Sequence, residues 1–384
     1  MQLANTHDAD AAKLAELGYK QEFDRKWSGF HNFAISFSII SILSGCFTTF
    51  AQAWNNGGPV AISIGWPIIA SLIMIIGLVM AELLSAMPTA GGIYYWALNL
   101  GKPVHGWVTG WLNLMGLIAV TAGVDYGFAN FFVYTANLFN SSIDPANLKL
   151  VFAVFAVTLL IHIAMNIYGA NIIHRLQSIN VWWHVGGVAA VILILVLVPA
   201  KHQTTSWVFT HQINNSGFSN YWLYVLPIGF LLTQYTITGF DASAHVSEET
   251  GQATKSAAQG LWKSIAYSAV AGWIMLLAFL YAATDEAGIT KAGGISQAIF
   301  VTALSTGWAK ILLIITCVGQ FFCGMSCVTA GSRMLFAFSR DRAVPGHKNW
   351  IKLDKNRNPS HAAFGVGFFS IILTLPALWA PKGT

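Results

Sequence analysis

Ionisable side chains stand inside apolar runs, foremost Asp125 in Ala122-Gly-Val-Asp-Tyr126, His184 in Val181-Trp-Trp-His-Val-Gly-Gly187, and Asp241 in Thr238-Gly-Phe-Asp241. A charge in such a run costs at least a few kcal/mol unless it faces protein or water, so each marks a place where a cation, a proton or a polar partner is held. An imidazole titrates near neutrality and offers a switchable charge. The stretch around Asp241 runs from Tyr235 through Thr238 and Gly239 to two further carboxylates, Glu248 and Glu249. A helix interrupted at glycine within a bilayer must line a cavity, because its freed backbone groups find no partner in lipid. Attraction of an ammonium and exchange of a proton are the chemistry these residue types offer, and the aromatic faces of Tyr235 and Phe240 add to the first. Structural readings stand beside these: Asp241 as a cap on a half-helix, Asp125 and His184 as hydrogen-bonded core groups, and His162 and Asn166 as interhelical bonds. Glu82 and Arg333 read as ion pairs with the loops.

The elements that must position these groups are membrane helices. Of the 384 residues 55% are hydrophobic and only 9% charged, against roughly 25% charged in an average soluble domain. Spans of about 20 apolar residues cross a bilayer, and nine are expected: Phe33 to Trp54, Val60 to Leu84, Trp107 to Leu138, Leu150 to Ile173, Ile179 to Pro199, Tyr221 to His245, Ile265 to Ala283, Ile311 to Ala337 and Ala362 to Trp379. With residues 1–32 cytoplasmic and 33–384 forming the transmembrane domain, fifteen of the 20 lysines and arginines fall on the inner side and five, including Lys382, on the outer. The net charge of +5 therefore reads as positive-inside loops, and nucleic acid is not an expected partner. Cys46, Cys317, Cys323 and Cys327 lie in apolar stretches without metal-ligand spacing. Neither a Gly-x-Ser-x-Gly elbow nor a His-Glu-x-x-His helix is found, so no enzyme, metal or cofactor is expected.

Spans one and six share a pattern. Ile42-Leu-Ser-Gly-Cys-Phe47 and Thr236-Ile-Thr-Gly-Phe240 each set a hydroxyl residue before a glycine near mid-span. If both unwind there, half-helix amino termini and freed carbonyls face one site, able to bind an anion and an ammonium together. The expected lining is Ser44, Gly45 and Cys46 from span one with Tyr235, Thr238, Gly239, Phe240 and Asp241 from span six.

Four stretches carry a family resemblance: Ala81-Glu-Leu-Leu-Ser-Ala-Met-Pro-Thr-Ala-Gly-Gly-Ile-Tyr-Tyr-Trp96, Ser44-Gly-Cys-Phe47, Gly239-Phe-Asp-Ala-Ser-Ala-His-Val-Ser-Glu-Glu-Thr250 and Gly331-Ser-Arg-Met-Leu-Phe-Ala-Phe-Ser-Arg-Asp-Arg-Ala-Val-Pro345. With the opening Leu14-Ala-Glu-Leu-Gly-Tyr-Lys-Gln-Glu-Phe23, the chain resembles the amino acid–polyamine–organocation superfamily, in its amino acid/choline transporter branch. The resemblance implies an all-α polytopic membrane protein with a LeuT-like inverted-repeat fold, spans one and six discontinuous, a first five-helix repeat at about 33–199 and an incomplete second repeat at about 221–384. Two more helices follow the repeats in the family, so a chain ending after span nine reads as truncated. Also implied is a permease in the plasma membrane, moving amino acids, γ-aminobutyrate, choline or polyamines by alternating access, with the inner gate near Asp241. His184, fifteen residues beyond Gly169, falls where several proton-coupled relatives carry a lysine in place of a sodium ion. Protons are thus expected over sodium as the coupling ion, with Asp125 and Asp241 as further candidates. An accessory subunit, a non-transporting fragment, or an amine sensor or channel are the alternatives. The oligomeric state is not legible.

Overall fold

A computed structural model describes residues 2–292 and 294–379; Ala380 to Thr384, Lys382 among them, lie outside the described residues. Eight segments are long and apolar enough to cross a membrane: Gly29–Thr48, Pro59–Ala86, Pro103–Phe139, Leu148–Tyr168, Ile173–Leu197, Ala253–Ala282, Thr306–Arg340 and Ser360–Trp379. These are spans one to five and seven to nine. The remaining expected span is present in four pieces, Tyr221–Val225, Leu226–Gly229, Leu231–Thr236 and Ala242–His245, none long enough to cross alone. Among the described residues there is no strand.

Several boundaries differ from those the apolar runs suggest. Span four stops at Tyr168, and Gly169 separates it from a helix running Ala170–Leu197. Apolar residues continue through that bend, so hydropathy does not see it. Span seven begins at Ala253 rather than Ile265, because the helix continues past the apolar window through Lys255 and Lys263. Spans three and eight have 37 and 35 residues; at about 1.5 Å per residue each is far longer than a hydrocarbon layer of roughly 30 Å, so they tilt or project. Span four starts where the Asn147 side chain accepts from the N–H groups of Lys149 and Leu150, taking up donors that a helix start leaves free.

Span seven packs along spans one and two, and span eight along span three. On one face the short pieces after the break in span one are held by aromatic contacts. Phe47 meets Phe279, Phe300 and Phe131 at ring-centroid distances of 5.1, 5.7 and 5.8 Å. The Ser296 hydroxyl, on the loop helix Ile295–Ala303, donates to the Phe47 carbonyl at 3.1 Å.

The other face carries the amino-terminal segment. After a helix over Gln2–Glu16 the chain lies as a strap across the ends of spans six, seven and eight, with Leu14, Phe23 and Trp27 buried. Asp10 accepts from the N–H groups of Gln252 (2.7 Å) and Ala253 (3.2 Å), capping span seven from a distant part of the chain.

Candidate functional site

Span one is helical over Gly29–Ile40 and leaves that conformation at Ser41, whose φ of 31° and ψ of 81° are left-handed. The break thus opens three residues before the Ser44-Gly45 pair. The Ser41 carbonyl turns back to accept the N–H groups of Ser44 (2.7 Å) and Gly45 (2.9 Å). Those two donors, expected to be free for an anion, are therefore already bonded. The helix resumes at Gly45–Thr48. A side chain at Gly45 would meet Thr236 at 2.7 Å, so only glycine lets span one come this close to span six.

A left-handed conformation at a non-glycine residue is costly and needs local support. His184 supplies it: its Nε2 lies 2.7 Å from the Ser41 hydroxyl and its Nδ1 3.0 Å from the Asn180 carbonyl, in a wholly buried setting. A carbonyl only accepts, so Nδ1 carries a proton, and in the neutral ring Nε2 accepts from Ser41. Protonation of Nε2 would reverse that bond and place a positive charge at the bend.

In span six the helix ends after Thr236, and Gly239 has a φ of 79°. A side chain there would overlap Ile39 of span one, so the two interruptions touch. Asn32 and Ser36, one turn apart on span one, stitch the helices together. Ser36 Oγ donates to the Phe240 carbonyl (2.9 Å) and accepts from Ser243 N–H (2.9 Å), while Asn32 Nδ2 donates to the Ser243 carbonyl (2.9 Å). Among the described residues, the N–H groups of Thr238, Gly239 and Phe240 have no backbone acceptor.

Asp241 precedes the half-helix Ala242–His245, yet its side chain makes no capping bond. Its Oδ2 accepts instead from Asn113 Nδ2 of span three at 3.0 Å and lies 3.4 Å from His245 Nε2. His245 is itself fixed by Nδ1, 2.9 Å from the Ala90 carbonyl. Asp241 faces a cavity of about 320 Å³ together with Thr238, Gly239, Phe240 and Asn113, walled by Leu117 and Val120. Of the residues expected at one site, Thr238 to Asp241 meet here. Ser44, Gly45, Cys46 and Tyr235 are outside this wall, Gly45 against Thr236 and the Tyr235 hydroxyl against Gly123 of span three; the hydroxyls of Ser44 and Tyr235 are buried without a partner. Asp125 is elsewhere, wholly buried, with Oδ2 3.1 Å from His162 Nδ1. Asn113, Ser41 and His245 were not singled out by the sequence.

On the face with the strap, both carboxylates that end the segment are paired. Arg340 forks onto Glu248 at 3.0 and 2.9 Å, and Glu248 also accepts from Ala90 N–H. Arg333 holds Glu249 at 2.8 Å. The strap covers this layer: Tyr19 lies under the Arg340 guanidinium, 3.9 Å from ring centroid to carbon, and Gln21 and Arg25 donate to the carbonyls of Glu248 and Thr250. Tyr19 and Tyr94 both donate to Asp341 Oδ2, at 2.7 and 3.0 Å. Burial, reinforced by the Asp341 carboxylate, pushes both phenols well above their ordinary value.

Paired interrupted helices stitched together within a membrane bundle define a protein of the secondary-transporter fold. The structure of a Na+-coupled sialic acid symporter superposes with a TM-score of 0.59 over 98% of this chain and 81% of that one, at 13% identity, and it shares the LeuT-like fold. The family model described as "Amino acid permease" matches residues 28–380. Amino-acid permease BAT1 of Arabidopsis thaliana is 37% identical over 97% of this chain and 76% of its own length. Its homolog in Oryza sativa subsp. japonica is 37% identical over 97% and 75%. The GABA-specific permease of Saccharomyces cerevisiae is 30% identical over 94% of this chain and 65% of its own. The chain belongs to the amino acid permease family, within the amino acid–polyamine–organocation superfamily. It is an integral multi-pass membrane protein of a transporter family and not an enzyme.

Proposed function

We propose that this permease moves amino acids or related small amines across the membrane by alternating access, with the substrate ammonium drawn to Asp241. One observation carries the reading: a carboxylate at the break of span six declines the capping bond beside it and faces a cavity instead. About 320 Å³ is at the small end of ligand pockets, which favours a small guest. The unbonded N–H groups of Thr238, Gly239 and Phe240 are at hand for its anionic end. The yeast relative's name makes γ-aminobutyrate the first substrate to try, followed by other amino acids, choline and polyamines.

Coupling to protons rather than sodium is part of the proposal, and the contact between His184 and Ser41 supports it. A ring that gains a proton there turns from acceptor to donor toward the left-handed residue on which the span-one break turns, and brings a positive charge to it. We place the amino terminus and the strap on the cytoplasmic side of the plasma membrane, following the fifteen-to-five division of lysine and arginine.

Uptake of labelled amines into vesicles carrying the full chain tests this. Asp241→Asn is expected to lower kcat/KM for the preferred amine at least about tenfold, roughly 1.4 kcal/mol; unchanged uptake would remove Asp241 from the site. His184→Gln should abolish accumulation driven by a pH gradient while exchange of substrate for substrate continues. Uptake by the unaltered protein that needs sodium and ignores a collapsed pH gradient would refute the coupling.

A further inference from the structure

Asp125 on span three and His162 on span four form a second carboxylate–imidazole pair, wholly buried and separate from the cavity at Asp241. Each uses one atom on the other, Oδ2 to Nδ1 at 3.1 Å, and each has one atom left over. Asp125 Oδ1 and His162 Nε2 are both buried without a partner among the described residues. One turn further along span four the polar groups are matched. Asn166, one turn beyond His162, accepts from Thr329 at 2.8 Å and donates to the carbonyls of His162 and Met325. Space is kept for the pair by Gly324 of span eight, where a side chain would overlap Asp125 Oδ1 and crowd His162 Cε1 at 2.8 Å. The His162 ring rests on Phe321, 4.5 Å between centroids.

No lysine or arginine compensates this carboxylate among the described residues. The ionisable groups facing it from other elements are the Tyr235 hydroxyl of span six and the Cys327 thiol of span eight, with the Cys323 thiol next to Cys327, all neutral in ordinary form. Span nine contributes only His361, exposed at its start, and His184 of span five is committed to Ser41. A carboxylate beside a neutral imidazole would leave a net negative charge in a low-dielectric interior, a cost of several kcal/mol. One added proton removes it, whether it resides on the ring or on the carboxyl.

We propose that Asp125 and His162 hold one proton between them within the membrane, and that their two unpartnered atoms are where that proton is taken up and released. The pair is then a second proton site, set between spans three, four and eight, and distinct from His184. Its use in coupling rests on the permease reading; its proton does not.

Solid-state NMR of the full chain in bilayers, with isotope-labelled histidine and aspartate, reads the pair directly at neutral pH. The expected result is a doubly protonated His162 ring beside an ionised Asp125, or a singly protonated ring beside a protonated carboxyl. A singly protonated ring beside an ionised carboxylate overturns the proposal. His162→Gln assigns the ring signal, and the through-space cross peak between the two residues assigns it in the unaltered protein should that variant not fold. In vesicles, Asp125→Asn should lose accumulation driven by a pH gradient while keeping substrate exchange; intact accumulation would remove the pair from coupling. Absence of any uptake by the unaltered protein would count against the permease reading alone and leave the proton occupancy to the spectra.

Discussion

Ser41 shows how much a single residue can hold. It is the left-handed turn, the acceptor for two backbone donors and the partner of His184 at once. Ser41→Ala keeps the backbone acceptor but leaves the buried His184 Nε2 unmatched, at a cost of about 1–3 kcal/mol. Thermal unfolding in detergent should show a lower midpoint, and an unmoved one would mean the bond contributes nothing. Asp125, His184 and Asp241 were legible because an ionisable group in an apolar run is conspicuous by itself. Their partners were not. Ser41 lies 143 residues from His184 and Asn113 lies 128 from Asp241, and a serine or asparagine in a membrane helix announces no particular partner. The readiness of Asp241 to cap its own half-helix was a reasonable local expectation; Asn113, brought in by span three, competes with it.

Two interrupted helices were foreseen from a repeated hydroxyl–glycine pattern, and both are interrupted. In span six the backbone leaves the helix around Gly239, as the pattern suggests. In span one it leaves earlier, because the support from His184 falls on Ser41 rather than on the glycine. Gly45 serves close approach to Thr236 instead of chain reversal. Gly239 has both duties, a positive φ and contact with Ile39. Gly239→Ala is therefore expected to cost at least about 1–2 kcal/mol for the backbone alone, with more from the overlap. Adding Ile39→Ala should relieve the overlap but not the backbone term. Melting of the single and double variants measures the two parts, and a single variant as stable as the parent would contradict the geometry. Helix ends at Gly169 and Ala253 escaped the sequence for a plainer reason: hydropathy reports where lipid contact stops, not where hydrogen bonding does.

At the scale of the molecule, polar ties close the face that carries the strap and aromatic packing closes the other. Arg340 and Glu248 are at the centre of the polar face. Arg340→Ala strands a fully buried carboxylate, expected to cost about 3–5 kcal/mol, whereas adding Glu248→Gln to it should recover much of that. Recovery is read as a rise in melting temperature from single to double variant; no rise would mean the pair is not buried as described. The strap adds a pH response. Tyr19 and Tyr94 are held above the ordinary phenol value of 10.0, so their neutral form favours the closed strap. That contribution is complete below the ordinary value and is lost as pH climbs past it. Protease cutting within residues 17–27 should accordingly stay slow through neutral pH and speed up above about 10, and Tyr19→Phe should flatten the rise.

Because Asp10 occupies the start of span seven as though it belonged to that helix, the first residues of the protein serve a rod that begins some 240 positions later. A truncation that removes Asp10 would be felt at Gln252 and Ala253, and an engineer trimming a seemingly dispensable leader would find the damage in the middle of the chain.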